Sequence, residues 1–167
     1  DKELALDGLT AGVEVYRDSL GIPHLYAQNM PDMYRATGYL MAQERMWQMD
    51  LLRRVTQGRL TELFGEDFVD ADLLFRALRF TEKSQMLLDS ISPRLKTYLK
   101  AYTGGINQYI ADQEDALPLE FKLLAYKPEK WEMEHTLNLI GYMAWDLSGA
   151  WDIETVLHKI RAKVDRT

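Results

Sequence analysis

The run from Pro31-Asp32 to Gly58 constrains this chain more than any other feature. Met33, Ala36, Tyr39, Leu40, Met46, Trp47, Leu51 and Val55 recur near helical spacing, opened by Pro31-Asp32 and stopped by Gly58. This predicts a helix of about seven turns. Further helical signals follow it. Leu60 to Phe64 reads as a short helix with Gly65 as a left-handed cap, and Leu73 to Phe80 fits more than one element. Pro93 opens a helix through Leu95, Leu99, Tyr102, Ile106, Tyr109 and Ile110, in which Gly104-Gly105 would admit a close-packed neighbour. Pro118 and Pro128 punctuate the next stretch, and His135 to Trp145 and Ile153 to Val164 read as two more helices separated by Ser148-Gly149. Strands are few: Val13 to Arg17 and Leu25 to Ala27 flank the turn-rich Asp18 to Pro23, which predicts a hairpin. The expected fold is a mostly α chain with a short N-terminal β-hairpin. Residues 1–12 form an N-terminal extension and residues 13–167 a single unit.

The 167 residues are 47% apolar, enough for a sizeable core. A net charge of -6, spread along the length without a basic stripe, argues against nucleic acid and anionic membranes as partners. No apolar run approaches the 18 residues of a membrane span, and Asp1-Lys2-Glu3 lacks the layout of a signal peptide, so the front of the chain is expected to be a processing product. The absence of cysteine removes disulfides, thiolate metal sites and a Cys nucleophile together.

A self-contained hydrolase would need an activated nucleophile, paired carboxylates or a metal held by spaced ligands. His24, His135 and His158 share no metal-type spacing, and no serine sits in a Gly-x-Ser-x-Gly elbow. Glu44 and Asp50, six residues apart, point to different sides of a helix and are expected to be solvated. Gln43-Glu44-Arg45 with Arg53-Arg54 reads, on composition, as an ordinary charged face. The chain therefore has no catalytic site of its own in view.

Five fragments in order change that reading. Gly21-Ile22-Pro23-His24-Leu25-Tyr26-Ala27, Gly38 to Met49, and Arg53-Arg54-Val55-Thr56-Gln57-Gly58 with Leu63-Phe64-Gly65 resemble the penicillin acylase family of N-terminal nucleophile hydrolases. Tyr102-Thr103-Gly104-Gly105-Ile106-Asn107 and Met143-Ala144-Trp145-Asp146-Leu147-Ser148 resemble its small, or α, subunit, and the likeness runs from about Val13 to Glu154. The resemblance implies a precursor that cuts itself into an α chain and a larger β chain, a heterodimer built on an αββα core, and export to the bacterial periplasm or beyond. Both ends of the chain, Asp1 and Arg166-Thr167, are expected to be processing products. The nucleophile is then the first residue of the β subunit, with its own α-amine as base, and no catalytic residue is expected here. The abundance of Met, Trp and Tyr, at eight, four and nine copies, suits either a large interface or the chain's own core.

By position in that resemblance, Met143, Asp146 and Leu147 match residues that line the family's acyl pocket. The sequence departs from the penicillin G pattern, in which Arg and Phe stand where Asp146 and Leu147 are. An aliphatic wall lacks ring packing, and Asp in place of a cation reverses the field on a charged substrate, so an N-acyl amide whose acyl group has no carboxylate is expected. The resemblance also implies one structural calcium shared with the β chain, with one α-chain carboxylate supplied by Glu154, or by Asp152 if the register slips. A stand-alone helical binding or scaffold module is the alternative, and it predicts a stable monomer.

Overall fold

The computed structural model describes residues 3–113 and 116–164, without the side chains of 151 and 152. Strands β1 (Glu14–Arg17) and β2 (Pro23–Tyr26) pair antiparallel, Val15 opposite Leu25 and Arg17 opposite Pro23. The ladder starts at Pro23, two residues earlier than the β-prone run predicts. Proline is tolerated at a strand's first residue, and Asp18 Oδ1 closes the turn by accepting from Leu20 N and Ile22 N, both at 2.9 Å. Gly21 supplies the positive φ, 79°, that this turn requires.

Helix α1 (Met30–Gln57) follows. Asn29 caps it by accepting from Asp32 N at 2.9 Å, and Gly58 ends it in the left-handed conformation, with Arg59 N bonded back to Arg54 O. Arg45 leaves helical geometry (φ -142°, ψ 26°), so the long helix contains a break. The buried Asp32 carboxylate accepts from Thr10 N, Thr10 Oγ1, Ala11 N and Asn29 Nδ2, which holds it at a pKa of about 2 and ties residues 10–11 to the helix start. Gln108 holds residues 5–7 in the same way, through Ala5 O and Asp7 N.

Helix α2 (Thr61–Phe64) and a 3₁₀ turn (Glu66–Phe68) lead to α3 (Val69–Leu78) and α4 (Phe80–Ser90). The stretch from Leu73 to Phe80, ambiguous in sequence, is thus two helices divided by Arg79 in the left-handed region (φ 57°). A break made by arginine, without Gly or Pro, leaves no sequence mark. Gly65 does have positive φ, but its ψ of -168° is extended rather than that of a left-handed cap. Asp72 of α3 accepts from Leu60 N and Thr61 N at the start of α2.

Helix α5 (Pro93–Asp112) crosses α1 with backbone against backbone. A Cβ on Gly105 would stand 2.0 Å from Arg35 O, and one on Gly38 would stand 2.1 Å from Tyr102 O. The expected close neighbour of Gly104-Gly105 is therefore α1. Around this crossing Tyr39, Ala42 and Met46 of α1 meet Ile106 and Tyr109 of α5, closed off by Leu117, Phe121 of α6 (Leu119–Leu123) and Trp131.

The buried stripe of α1 continues past Met46 into charge, and here the structure corrects the sequence reading. Asp50, Arg53 and Arg54 are buried, not part of a solvated face. Asp50 bonds both arginines and accepts from Tyr126 Oη at 2.7 Å. Arg53 Nη1 donates to the carbonyls of Glu129 and Lys130, and its guanidinium lies 5.6 Å from the Trp131 ring. Arg54 lies 4.7 Å over Tyr126 and donates to Glu62 at 2.7 Å. Arg59 joins Glu62 to Glu129, lowering the Glu129 carboxyl to about 2. Asp50 and Arg54 are each met by several partners, whereas Arg53 Nε is buried without one and burial pulls the Arg53 guanidinium below its ordinary pKa.

Candidate functional site

Helix α7 (Met133–Leu147) carries the three residues that the resemblance assigns to an acyl pocket. Its start is fixed by a reciprocal cap: Glu132 receives the backbone N–H of His135, while His135 Nδ1 accepts from Glu132 N at 3.0 Å. Burial and the nearby Arg53 lower the imidazole to about 4, so His135 is neutral and serves the cap. His24 is exposed beside Asp18, and His158 is exposed on α8 (Trp151–Val164), so the three histidines are not brought together.

The rotation of α7 is set by what it buries. Leu137 and Asn138 are buried, Asn138 reaches Thr81 of α4, and Gly141 lies so near Phe80 that a Cβ would come within 2.8 Å of its ring. Tyr142 and Trp145 turn toward Phe75, with ring centroids at 6.1 and 5.2 Å. At about 100° per residue, Leu147 is then on the side opposite Trp145. Met143 is 52% exposed and Leu147 80%, and with Ile140 they form an i, i+3, i+7 stripe on the open face. Asp146 is exposed beside them. Neither Met143 nor Leu147 belongs to the core of this chain, which removes the simplest non-functional explanation for them.

Beyond Ser148, α8 shows a second open stripe: Ile153, Val156, Leu157 and Ile160, at spacings of 3, 1 and 3, are all about half exposed or more. Val156 and Ile160 are evident in sequence; Ile153 and Leu157 complete the same face and could have been found from that spacing. Glu154 is exposed in the first turn of α8, where the helix dipole favours a carboxylate. The Asp152 side chain lies outside the described residues. Among the described residues no group of three or more His, Asp or Glu could hold a metal ion. No helix among the described residues is long and apolar enough to cross a membrane.

The match to known proteins covers this whole arrangement. The penicillin amidase family model matches residues 12–167. Penicillin acylase 2 proenzyme of Pseudomonas sp. (strain SE83) is 36% identical over 148 residues, which are 89% of this chain and 19% of that protein. Acyl-homoserine lactone acylase QuiP of Pseudomonas syringae pv. syringae is 34% identical over 143 residues, 86% of this chain and 17% of that protein. The chain thus spans about a fifth of the length of these relatives. Among solved structures, a chain of the thermostable penicillin G acylase from Alcaligenes faecalis superposes with a TM-score of 0.74 at 29% identity, over 82% of this chain and 74% of that one.

Proposed function

Because the chain belongs to the penicillin amidase family, we propose that it is the α subunit of an amidohydrolase that cleaves N-acyl amides only together with a larger β subunit. The observation that carries this reading is a contrast in coverage. The match takes up 19% of a proenzyme but 74% of a chain in a solved acylase, the relation expected if a precursor is cut into unequal chains. The open apolar stripes of α7 and α8 supply the surface such a partner would cover.

In this reading the nucleophile is the first residue of the β subunit, a serine whose α-amine, with an ordinary pKa of about 7.7–8.0, takes its proton near neutral pH. This chain then does three things. Its α1–α5 body braces the assembly. Met143 and Leu147 give an aliphatic wall to the acyl pocket, and Asp146 sets a negative field beside it, favouring acyl groups without a carboxylate. Glu154, or Asp152, gives one carboxylate to a calcium whose other five to seven or so oxygens come from the β subunit. Such an enzyme acts in the periplasm or outside the cell. The relatives' names include both a penicillin acylase and an acyl-homoserine lactone acylase, so β-lactam side-chain amides and acyl-homoserine lactones are the substrate classes to compare first.

The test is selectivity in the two-chain enzyme. Leu147→Phe is expected to shift preference toward compact aromatic acyl groups by one to two powers of ten, about 1–3 kcal/mol of changed pocket contact. Asp146→Arg is expected to raise activity toward acyl groups that carry a carboxylate. An unchanged ranking of acyl p-nitroanilides in both variants would remove these residues from the pocket. Phenylmethylsulfonyl fluoride should label the first serine of the partner, and label on any serine of this chain, or amide hydrolysis by this chain unaided, would overturn the subunit assignment.

A further inference from the structure

At the opposite end of α7 from Met143 and Leu147, a cleft of about 630 Å³ opens between α5, the first turn of α7 and Arg35 of α1. We propose that this cleft binds a small multivalent oxyanion of the phosphate type, free or carried by a soluble small molecule. The proposal does not rest on the acylase reading.

The cleft's charge runs against that of the chain. In a sequence of net charge -6, Arg35, Lys96, Lys100 and Lys130 converge on it, facing a single lining carboxylate, Glu132. That carboxylate is already engaged, by the Lys130 ammonium at 3.1 Å and by the cap of α7. Lys96 and Lys100 are one helical turn apart on the same face of α5, where like charges repel unless an anion lies between them. The N-termini of α5 and α7 both open at the rim, at Pro93 and Met133, and add their dipoles to the same field.

Two further observations make the cleft a built site rather than a basic surface. Arg35 is half buried, and among the described residues no carboxylate pairs with it. Its guanidinium is seated between two glycines: a Cβ on Gly104 would stand 2.6 Å from its Nη1, and one on Gly8 would stand 3.1 Å from its Cζ. A planar donor fork is thus held in place without a counter-charge, the arrangement that recognises phosphate or carboxylate bidentately. Thr103, which also lines the cleft, is 92% buried (8% exposed), and its Oγ1 has no hydrogen-bond partner. A buried hydroxyl without a partner is costly, and an oxyanion that reached it from the cleft would accept a hydrogen bond from it.

The cleft, about 630 Å³, has room for a phosphate together with the small molecule that carries it. The test is equilibrium dialysis of radiolabelled inorganic phosphate against the full-length protein, at constant ionic strength in calcium-free buffer. Saturable binding is expected, weakened about tenfold by Lys100→Gln and by at least that factor in Arg35→Gln, with Lys122→Gln on α6 unchanged. Lys100 is exposed, so Lys100→Gln keeps the test valid even if Arg35→Gln does not fold. Sulfate should compete. Non-saturable uptake, or equal weakening by Lys122→Gln, would overturn the proposal. So would retention on phosphatidic acid vesicles by a protein that binds no free phosphate.

Discussion

Where α1 crosses α5 the backbones touch, and farther along α1 Asp50 pairs with Arg53 and Arg54 in the interior; where α7 ends and α8 begins, leucine, isoleucine and methionine side chains face outward. The first region is packed against its own chain. The second has the amphipathic stripe of a packed helix with nothing among the described residues against it. The difference separates residues that hold the chain together from residues that await something else. Each expectation below would break that contrast or sharpen it.

The largest effect is expected at the crossing. Gly105→Ala puts a Cβ 2.0 Å from the Arg35 carbonyl, which no side-chain movement can relieve. A loss of about 4 kcal/mol or more is expected, in the range of severe backbone clashes. Gly12, with open space around its Cβ position, is the internal control, and Gly12→Ala should stay within about 0.5 kcal/mol. Urea denaturation followed by tryptophan fluorescence would measure both, and equal midpoints would deny the close crossing.

Next comes Asp50→Asn. It leaves Arg53 and Arg54 buried without their shared counter-charge, and about 3–4 kcal/mol should be lost in the same assay. If Asp50→Asn costs no more than a surface substitution, the cluster is hydrated in solution and the body is not closed as described.

The cluster also shows how far the sequence can be read. Ala36, Tyr39, Ala42 and Met46 mark the buried side of α1, and the same period passes through Asp50, Arg53 and Arg54. Position was legible; residue type misled, because charged side chains usually solvate and these are buried only with help from Tyr126, Trp131 and Glu62, which are distant in sequence. The hairpin, the stop at Gly58 and the close packing at Gly104-Gly105 were readable from local chemistry, while the cap fell at Asn29, two residues before the start read at Pro31-Asp32. Helix α4 was not, since Arg79 breaks the chain without a turn residue. For the candidate site, motif order placed Met143, Asp146 and Leu147 on one helix end, but that Met143 and Leu147 face outward depends on Trp145 and Tyr142 packing on Phe75, a contact no local pattern encodes.

A smaller effect is expected at His135, on the closed side of the contrast. Its imidazole titrates at about 4 in the folded chain against an ordinary value near 6.5, because burial and Arg53 disfavour the charged ring. Between those two values the unfolded chain binds a proton that the folded chain does not, so stability falls as pH drops from 6.5 toward 4. The loss should be about 1–2 kcal/mol after solvent screening is allowed for. Asp32 and Glu129, both near 2, lose their contributions only below about 4.5, so the two windows separate. His135→Gln keeps an N3 side chain able to cap Glu132 N and should flatten the pH 6.5–4.5 slope while leaving stability at pH 7 nearly unchanged. A slope that survives the substitution belongs to another group.

The smallest effect is expected on the open side, and it tests the contrast most directly. Leu157 and Ile160 are about half exposed on α8, so replacing either with Gln removes little burial in this chain by itself. The midpoint of the isolated chain should move by less than about 0.5 kcal/mol, as for an ordinary surface position. With the proposed larger chain present, the same two substitutions should each cost about 2–3 kcal/mol of assembly stability if that chain covers the stripe, the magnitude of a large apolar side chain lost from a packed interface. Thermal melts of the chain alone and of the two-chain protein give the two numbers. Equal small shifts in both would mean that the stripe stays open and the partner docks elsewhere. A shift of several kcal/mol in the chain alone would mean that α8 folds back onto the body in solution, and the division between a closed and an open region would no longer hold.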